Sequence, residues 1–222
     1  MKKIVITGAL GYIGTELCKL YSGEARFKNI VAVDTRFSSG RVKQLRDWGI
    51  NFIQTSILDE EMMKYILSDA DTVIHLAGIT DVAYTKTESN IEQDKNIKET
   101  AIIGTRNIIN SVTDSCKIIF PSTHVVYEGF EETKLDIDES EQTCPTLSYA
   151  NSKVQSEIDL KQSNKNYVIL RFASVYGYSS DTMRTNIMPN LFSKIASQNG
   201  TIKLFSGGVQ LKSLVPLLDV VR

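Results

Sequence analysis

Tyr149 and Lys153 stand four positions apart in the run Tyr149-Ala150-Asn151-Ser152-Lys153, a spacing that stacks a phenol and an ammonium on one face of a helix. A phenol with a reference pKa of about 10 is a poor base at neutral pH, and a neighbouring lysine charge favours its ionised form. The same spacing also joins ordinary surface neighbours, so the pair gains meaning only from what surrounds it. Three more groups able to do chemistry, Ser122, Thr123 and His124, follow the apolar run Cys116 to Pro121. His75 lies inside the apolar run Thr72 to Leu76 and reads as a packed, hydrogen-bonded strand residue rather than a catalyst. Asp136, Asp138, Glu139 and Glu141 fall in a polar stretch and read as solvated, without the spacing of a metal site.

The elements that must position these groups alternate between strand and helix. Ile4, Val5 and Ile6 form a β-branched run of the kind buried on both faces, and Gly8, Gly11 and Gly14 follow at every third position. That order reads as a tight turn at Gly8, a close backbone approach to a pyrophosphate at Gly11 and a helix packed near the sheet at Gly14. The next strand, Asn29 to Val33, ends on Asp34, twenty positions after Gly14, where a carboxylate meets an adenosine ribose hydroxyl. A carboxylate there repels a 2′-phosphate, which favours NAD over NADP, with Arg36 a partial offset. Further strands at 51–54 and 72–76, a helix from Asp59 to Leu67, a loop from Ala83 and a long helix from Asp94 to Thr113 continue the alternation. Gly104 inside that helix calls for close contact with the sheet or a neighbouring helix. A strand over 116–121, a helix from Leu147 to Gln162 and a strand over 167–172 complete a pattern that predicts a parallel sheet covered on both faces. Ala77 and Gly78, at the carboxyl edge of the fourth strand, leave room for a ring there, and a positively charged nicotinamide would add to the pull on the Tyr149 proton. Beyond Phe172 the texture changes to a Tyr/Gly/Ser loop, a helix near Thr185 to Ala196, a short strand at 202–205 and an apolar stretch from Leu214 to Val221.

At 222 residues and 42% hydrophobic content the chain can bury one large core, or one core and a small lobe. Its 25 basic and 26 acidic residues nearly cancel and form no long blocks, which argues against nucleic acid or an anionic membrane as partner. Cys18, Cys116 and Cys144 are scattered and odd in number, as reduced thiols of a cytoplasmic protein are, and no metal is expected. The N-terminus leads straight into a strand and no apolar run approaches a membrane span, so neither a signal peptide nor an anchor is expected.

In order, Thr7-Gly8-x-x-Gly11-x-x-Gly14, Asp34, His75-Leu76-Ala77-Gly78, Ser122-Thr123 and Tyr149-x-x-x-Lys153 resemble the extended short-chain dehydrogenase/reductase family, in its NAD-dependent epimerase/dehydratase branch acting on nucleotide sugars. Val126-Tyr127, Leu170 to Gly177 and the closing Asp219-Val220-Val221-Arg222 extend the likeness over nearly the whole chain. The resemblance implies a Rossmann-like, doubly wound α/β fold, with an NAD-binding domain over 1–172 and the start of a substrate-binding lobe, cut short, over 173–222. It implies that Tyr149 is the acid/base, that Lys153 holds the nicotinamide ribose and lowers the tyrosine pKa, and that Thr123 bonds the reacting sugar hydroxyl. Cofactor contacts are implied for Gly8, Gly11, Tyr12, Ile13, Gly14, Asp34, Arg36, Ser56, Ile57, Leu76, Ala77, Gly78, Tyr149 and Lys153. Substrate contacts are implied for Thr123, Ser174 and Lys212.

The departures from the pattern narrow the chemistry. Dehydratases of the branch follow the Thr with an Asp-Glu pair that performs elimination, whereas here His124 and Val125 follow. The related decarboxylases keep the Glu, so Val125 counts against them as well. His75-Leu76-Ala77-Gly78 is similar to the form in UDP-galactose 4-epimerases. Ala101 and Ser174 each replace a customary Asn, Ser56 replaces an Asp that meets adenine, Glu128 a Gly, and Lys212 an Arg that binds the substrate diphosphate. The resemblance thus implies an NAD-dependent nucleotide-sugar epimerase working through a transient keto sugar. The alternatives are a dehydrogenase or reductase with net hydride transfer and a non-catalytic nucleotide-binding protein. A homodimer pairing the helices 94–113 and 147–162 is also implied.

Overall fold

A computed structural model describes residues 2–80 and 90–222. Strands β1 (Lys3–Thr7), β2 (Asn29–Asp34), β3 (Asn51–Gln54), β4 (Thr72–His75), β5 (Lys117–Thr123) and β6 (Asn166–Phe172) form one sheet in the order β3-β2-β1-β4-β5-β6. Every pairing is parallel. This is the doubly wound order whose chain reversal lies between β1 and β4, and a crevice opens there at the carboxyl ends of the strands.

The strands are apolar on both sides because each side is covered. Val5, Val31, Val33, Val73, Ile118 and Phe120 pack under helices α3 (Glu60–Leu67), α4 (Ile91–Ser111) and α5 (Ser148–Gln162), which contribute Met63, Ile108 and Leu160. Ile4, Ile6, Ile30, Ala32 and Ile74 pack on the other side under α1 (Tyr12–Ser22) and α2 (Ser39–Asp47), which contribute Leu17, Cys18 and Leu45. The alternation of Ile4, Val5 and Ile6 between the two cores is the period-two geometry of a strand. Helix starts are fixed locally, since Asp59 accepts the Met62 N–H at 3.0 Å and Asn90 accepts the Gln93 N–H at 2.6 Å.

A second, two-stranded parallel sheet follows directly, pairing β7 (Ser174–Tyr176) with β8 (Leu214–Pro216). Helix α6 (Met188–Ser197) lies between these strands in sequence, and α7 (Leu217–Val221) follows them. Leu217 and Val221 are buried in the α1 side of the core, which ties the closing Asp219-Val220-Val221-Arg222 stretch to the glycine-rich end of the fold.

Several expected boundaries move. Strand β5 continues through Ser122 and Thr123, and α6 begins three residues later than its pattern suggests. Residues 39–47 form α2, a helix that the sequence pattern does not name, burying only Val42 and Leu45. Residues 201–204 form no strand, and Phe205–Gly208 is a 3-10 turn ending in two glycines at φ +70° and +75°, backbone that no extended strand adopts. The loop expected from Ala83 lies partly outside the described residues. Gly104 does answer to a neighbour, but to a loop side chain: a Cβ there would sit 2.2 Å from Cδ1 of Ile57.

Candidate active site

The glycine-rich turn is built around two close approaches. Gly8 sits at φ +69°, and a Cβ on it would lie 2.7 Å from the Ala77 nitrogen, so the turn rests directly against the edge of β4. A Cβ on Gly14 would lie 2.4 Å from the Gly8 carbonyl oxygen, which closes the turn upon itself rather than bringing α1 against another strand. Helix α1 has no side-chain cap, and its first backbone bond runs from the Thr15 N–H to the Gly11 carbonyl at 3.0 Å. The amides of Tyr12 and Ile13 therefore precede the intrahelical ladder, at the positive end of the helix dipole, as an anion seat requires.

Asp34 closes one side of this seat. Its carboxylate accepts the Leu10 N–H at 2.9 Å and the Arg36 N–H at 3.0 Å, and Arg36 Nε approaches at 3.4 Å. A carboxylate has about four lone-pair sites, so these contacts leave it capacity to accept a ribose hydroxyl. Ser56 lies just beyond β3, where its Oγ accepts the Leu58 N–H at 3.1 Å. Ile57 is buried under α4, with its carbonyl accepting from Asn107 Nδ2 at 2.9 Å.

On the other side of the reversal, Thr7, His75 and Ala77 form a fixed polar core. Thr7 Oγ1 lies 2.9 Å from His75 Nδ1 and accepts the Ala77 N–H at 3.2 Å, while His75 Nε2 lies 3.2 Å from Thr105 Oγ1. Burial, with the Lys153 charge second, pushes the imidazole down to about 3. His75 is thus a neutral strut that aligns Leu76 and Ala77. A Cβ added at Gly78 would meet nothing within 4 Å, so the chain is open where a ring is expected.

Helix α5 brings Tyr149 and Lys153 to this edge. Lys153 Nζ donates to the Pro121 carbonyl of β5 at 2.7 Å and lies 4.4 Å from the centre of the Phe120 ring. Burial lowers its pKa to about 8, opposed by the Glu157 charge one turn further along the helix. Burial raises the Tyr149 phenol above its ordinary value, and the cation that opposes this is Arg184. Lys153 Nζ is engaged by the β5 carbonyl, and Arg184 is the charge that reaches the phenol here. Thr123 ends β5, and its Oγ1 accepts the Val125 N–H at 3.3 Å, capping a 3-10 turn over His124–Tyr127.

The remaining expected residues gather on the side of the second sheet. Ser174 begins β7, bonded through its N–H to the Ser213 carbonyl at 3.0 Å, and its Oγ lies 3.2 Å from His124 Nε2. The Lys212 charge reaches the same imidazole. Tyr12 reaches across from α1, its hydroxyl donating to the Gly177 carbonyl and accepting from Asn190 Nδ2 at 3.3 Å.

Sequence reasoning passes over two groups. Arg184 sits in the loop before α6 and donates through Nη2 to the Thr80 carbonyl at 2.7 Å, a contact across 104 positions that no local pattern announces. Glu157 is buried and bound to Arg171 and Ser122. Its place on the Tyr149–Lys153 stripe, at the next helical turn, is the signal that marks it. Among the described residues, no group of three or more His, Cys, Asp or Glu could hold a metal ion, and no helix is long and apolar enough to cross a membrane.

Comparison with known proteins agrees with this layout. A dTDP-D-glucose 4,6-dehydratase of Dictyostelium discoideum is 25% identical over 245 residues, covering 100% of this chain and 55% of that protein. A putative UDP-glucose 4-epimerase of Methanocaldococcus jannaschii is 26% identical over 227 residues, covering 99% of this chain and 71% of its own length. Among solved structures, a UDP-glucose 4-epimerase of Thermotoga maritima with UDP-glucose superimposes with a TM-score of 0.82 at 27% identity, covering 99% of this chain and 71% of that one. The chain spans just over half of the first of these proteins and about seven tenths of the other two. The profile of the NAD dependent epimerase/dehydratase family matches residues 4–222, and with strand order, glycine turn and Tyr-Lys helix all in place, the chain belongs to that family.

Proposed function

We propose that the protein is an NAD-dependent epimerase of a nucleoside-diphosphate sugar. NAD, when bound, supplies a hydride acceptor that can return the hydride. The residues present fit it: the uncapped start of α1 takes the pyrophosphate, Asp34 an adenosine ribose hydroxyl, and the open space at Gly78 the nicotinamide end. Lys153 would hold a nicotinamide ribose hydroxyl, and its charge would favour the Tyr149 phenolate.

The chain's own groups then carry the proton. Thr123 bonds a sugar hydroxyl, and Tyr149, as phenolate, takes that hydroxyl's proton as the carbon gives up its hydride, leaving a ketone. Return of the hydride to the opposite face of the ketone, or inversion at a neighbouring carbon followed by return of the hydride to the ketone, gives the epimer, and Tyr149 returns the proton to the oxygen. The observation that carries the reading is what lies beside Thr123: the next residues are His124 and Val125, the first bonded to Ser174 and the second apolar, so no carboxylate pair stands at those two positions to drive elimination. With purified protein and a panel of UDP-, GDP- and dTDP-sugars, an isomer should form without net NADH. Steady NADH formation would overturn the proposal in favour of a net dehydrogenase or reductase, a second reading that the substitutions at Ser174 and Lys212 support.

A further inference from the structure

Three polar groups from three separate segments converge beside Thr123. His124 stands on the 3-10 turn that Thr123 caps, Ser174 opens β7, and Lys212 precedes β8. Their meeting is set by backbone pairing. Thr123 is in register with Phe172 across β5 and β6, which brings Ser174 past the end of the sheet beside His124. The Ser174 N–H bond to the Ser213 carbonyl then fixes Lys212 alongside.

Ser174 and His124 complement each other in chemistry. An asparagine carries an acceptor and two donors on its γ-carbon, whereas a serine carries one hydroxyl on its β-carbon, one bond nearer the backbone. His124 Nε2 lies 3.2 Å from that hydroxyl and engages it. The His124 ring is half-buried, and among the described residues Ser174 Oγ is its hydrogen-bond partner. Burial, with the Lys212 charge second, holds the imidazole below its ordinary pKa, so at neutral pH the ring is uncharged, with one N–H and one bare nitrogen.

We propose that His124 is a specificity-determining residue that acts with Ser174 as one hydrogen-bonded unit, together presenting to the sugar the donor and acceptor that a single asparagine would present. This rests on the reading of the site as a nucleotide-sugar site. The unit binds polar groups of the sugar, while Lys212 is left to the diphosphate.

A double-mutant cycle with rescue tests the proposal. His124→Ala and Ser174→Ala should each raise KM about five- to tenfold for the sugar nucleotide that the wild type turns over, the size of one lost neutral hydrogen bond, with kcat within about threefold. The double variant should be no worse than about twofold beyond either single one, and Ser174→Asn in the His124→Ala background should restore KM to within about threefold of wild type. NAD affinity, measured by calorimetry, should not change in any variant, which also shows that each is folded. Additive effects, no effect of His124→Ala, or failure of Asn to rescue would overturn the unit while leaving the epimerase reading intact. Absence of binding and turnover with every UDP-, GDP- and dTDP-sugar in the wild type would overturn both.

Discussion

Glu157→Gln is the substitution whose consequences follow most fully from the structure. Glu157 is 2% exposed, and its carboxylate takes Arg171 Nη2 at 2.6 Å, Arg171 Nε at 3.0 Å and Ser122 Oγ at 2.5 Å. Glutamine keeps the shape but offers one acceptor in place of two and turns an NH2 towards the guanidinium. Removing one partner of a buried ion pair costs about 3–5 kcal/mol, because the other charge stays buried without compensation. Arg171 keeps the Tyr127 hydroxyl, the Glu139 carbonyl and the Tyr127 ring at 5.2 Å, which places the loss at the low end, about 3 kcal/mol. At about 2–4 °C per kcal/mol for a chain of this size, calorimetry should show Tm lowered by about 6–12 °C.

The same carboxylate sets a pH signature. Burial pushes its pKa up, but the hydrogen bonds from Arg171 and Ser122 and the charges of Arg171 and Lys161 outweigh burial and hold it below the ordinary value. A carboxyl lowered by folding contributes stability above its unfolded pKa of about 4.3 and loses it as pH falls through the folded value. The gap between wild type and Glu157→Gln should therefore be full at pH 7 and close below about pH 4. Replacing the pair together, Glu157→Leu with Arg171→Met, should cost less than Glu157→Gln alone. A Tm loss under about 2 °C, a gap that widens in acid, or a double variant worse than the single one would refute the assignment.

Other outcomes follow from the same geometry. Tyr149→Phe should leave NAD affinity nearly unchanged and reduce turnover at least about 100-fold, as loss of a general acid/base does. Gly104→Ala puts a methyl group against the Ile57 side chain and, after the roughly 1 kcal/mol of helix propensity alanine gains, should destabilise the fold by up to about 2 kcal/mol, measured by urea denaturation. Asp34→Asn should weaken NAD binding and narrow the preference for NAD over NADP in paired calorimetric titrations. Ile103 on α4 and Ile158 on α5 are exposed, and if these helices pair across a homodimer, Ile103→Lys with Ile158→Lys should convert a dimer to a monomer in sedimentation velocity.

The strand-helix alternation was legible because the central strands are apolar on both faces and the glycines end β1 so sharply. Strand β5 also announced what it delivers, Ser122 and Thr123, and helical spacing put Tyr149 and Lys153 on one face, a pair that gained meaning from the glycine turn, Asp34 and Ser122-Thr123 around it. Helix α2 did not announce itself, since two buried residues in nine make too weak a stripe. The apparent strand at 202–205 had the right composition but no neighbour to pair with, and composition cannot supply one. Arg184 was missed because its contacts form only once distant segments meet, and Glu157, although on the Tyr149–Lys153 stripe, because its partners Arg171 and Ser122 lie on other strands. The orientation of Lys153 on the Pro121 carbonyl is likewise a product of packing between α5 and β5.

The central claim is that a sugar carbon is oxidised and reduced again within one active site. With the nucleotide sugar that the panel identifies, deuterated at that carbon, the expected product is an epimer that retains the deuterium there, read by mass spectrometry and proton NMR, with no labelled NADH accumulating. Deuterium collecting stoichiometrically in released NADH, or a deoxy keto sugar as the product, would contradict it.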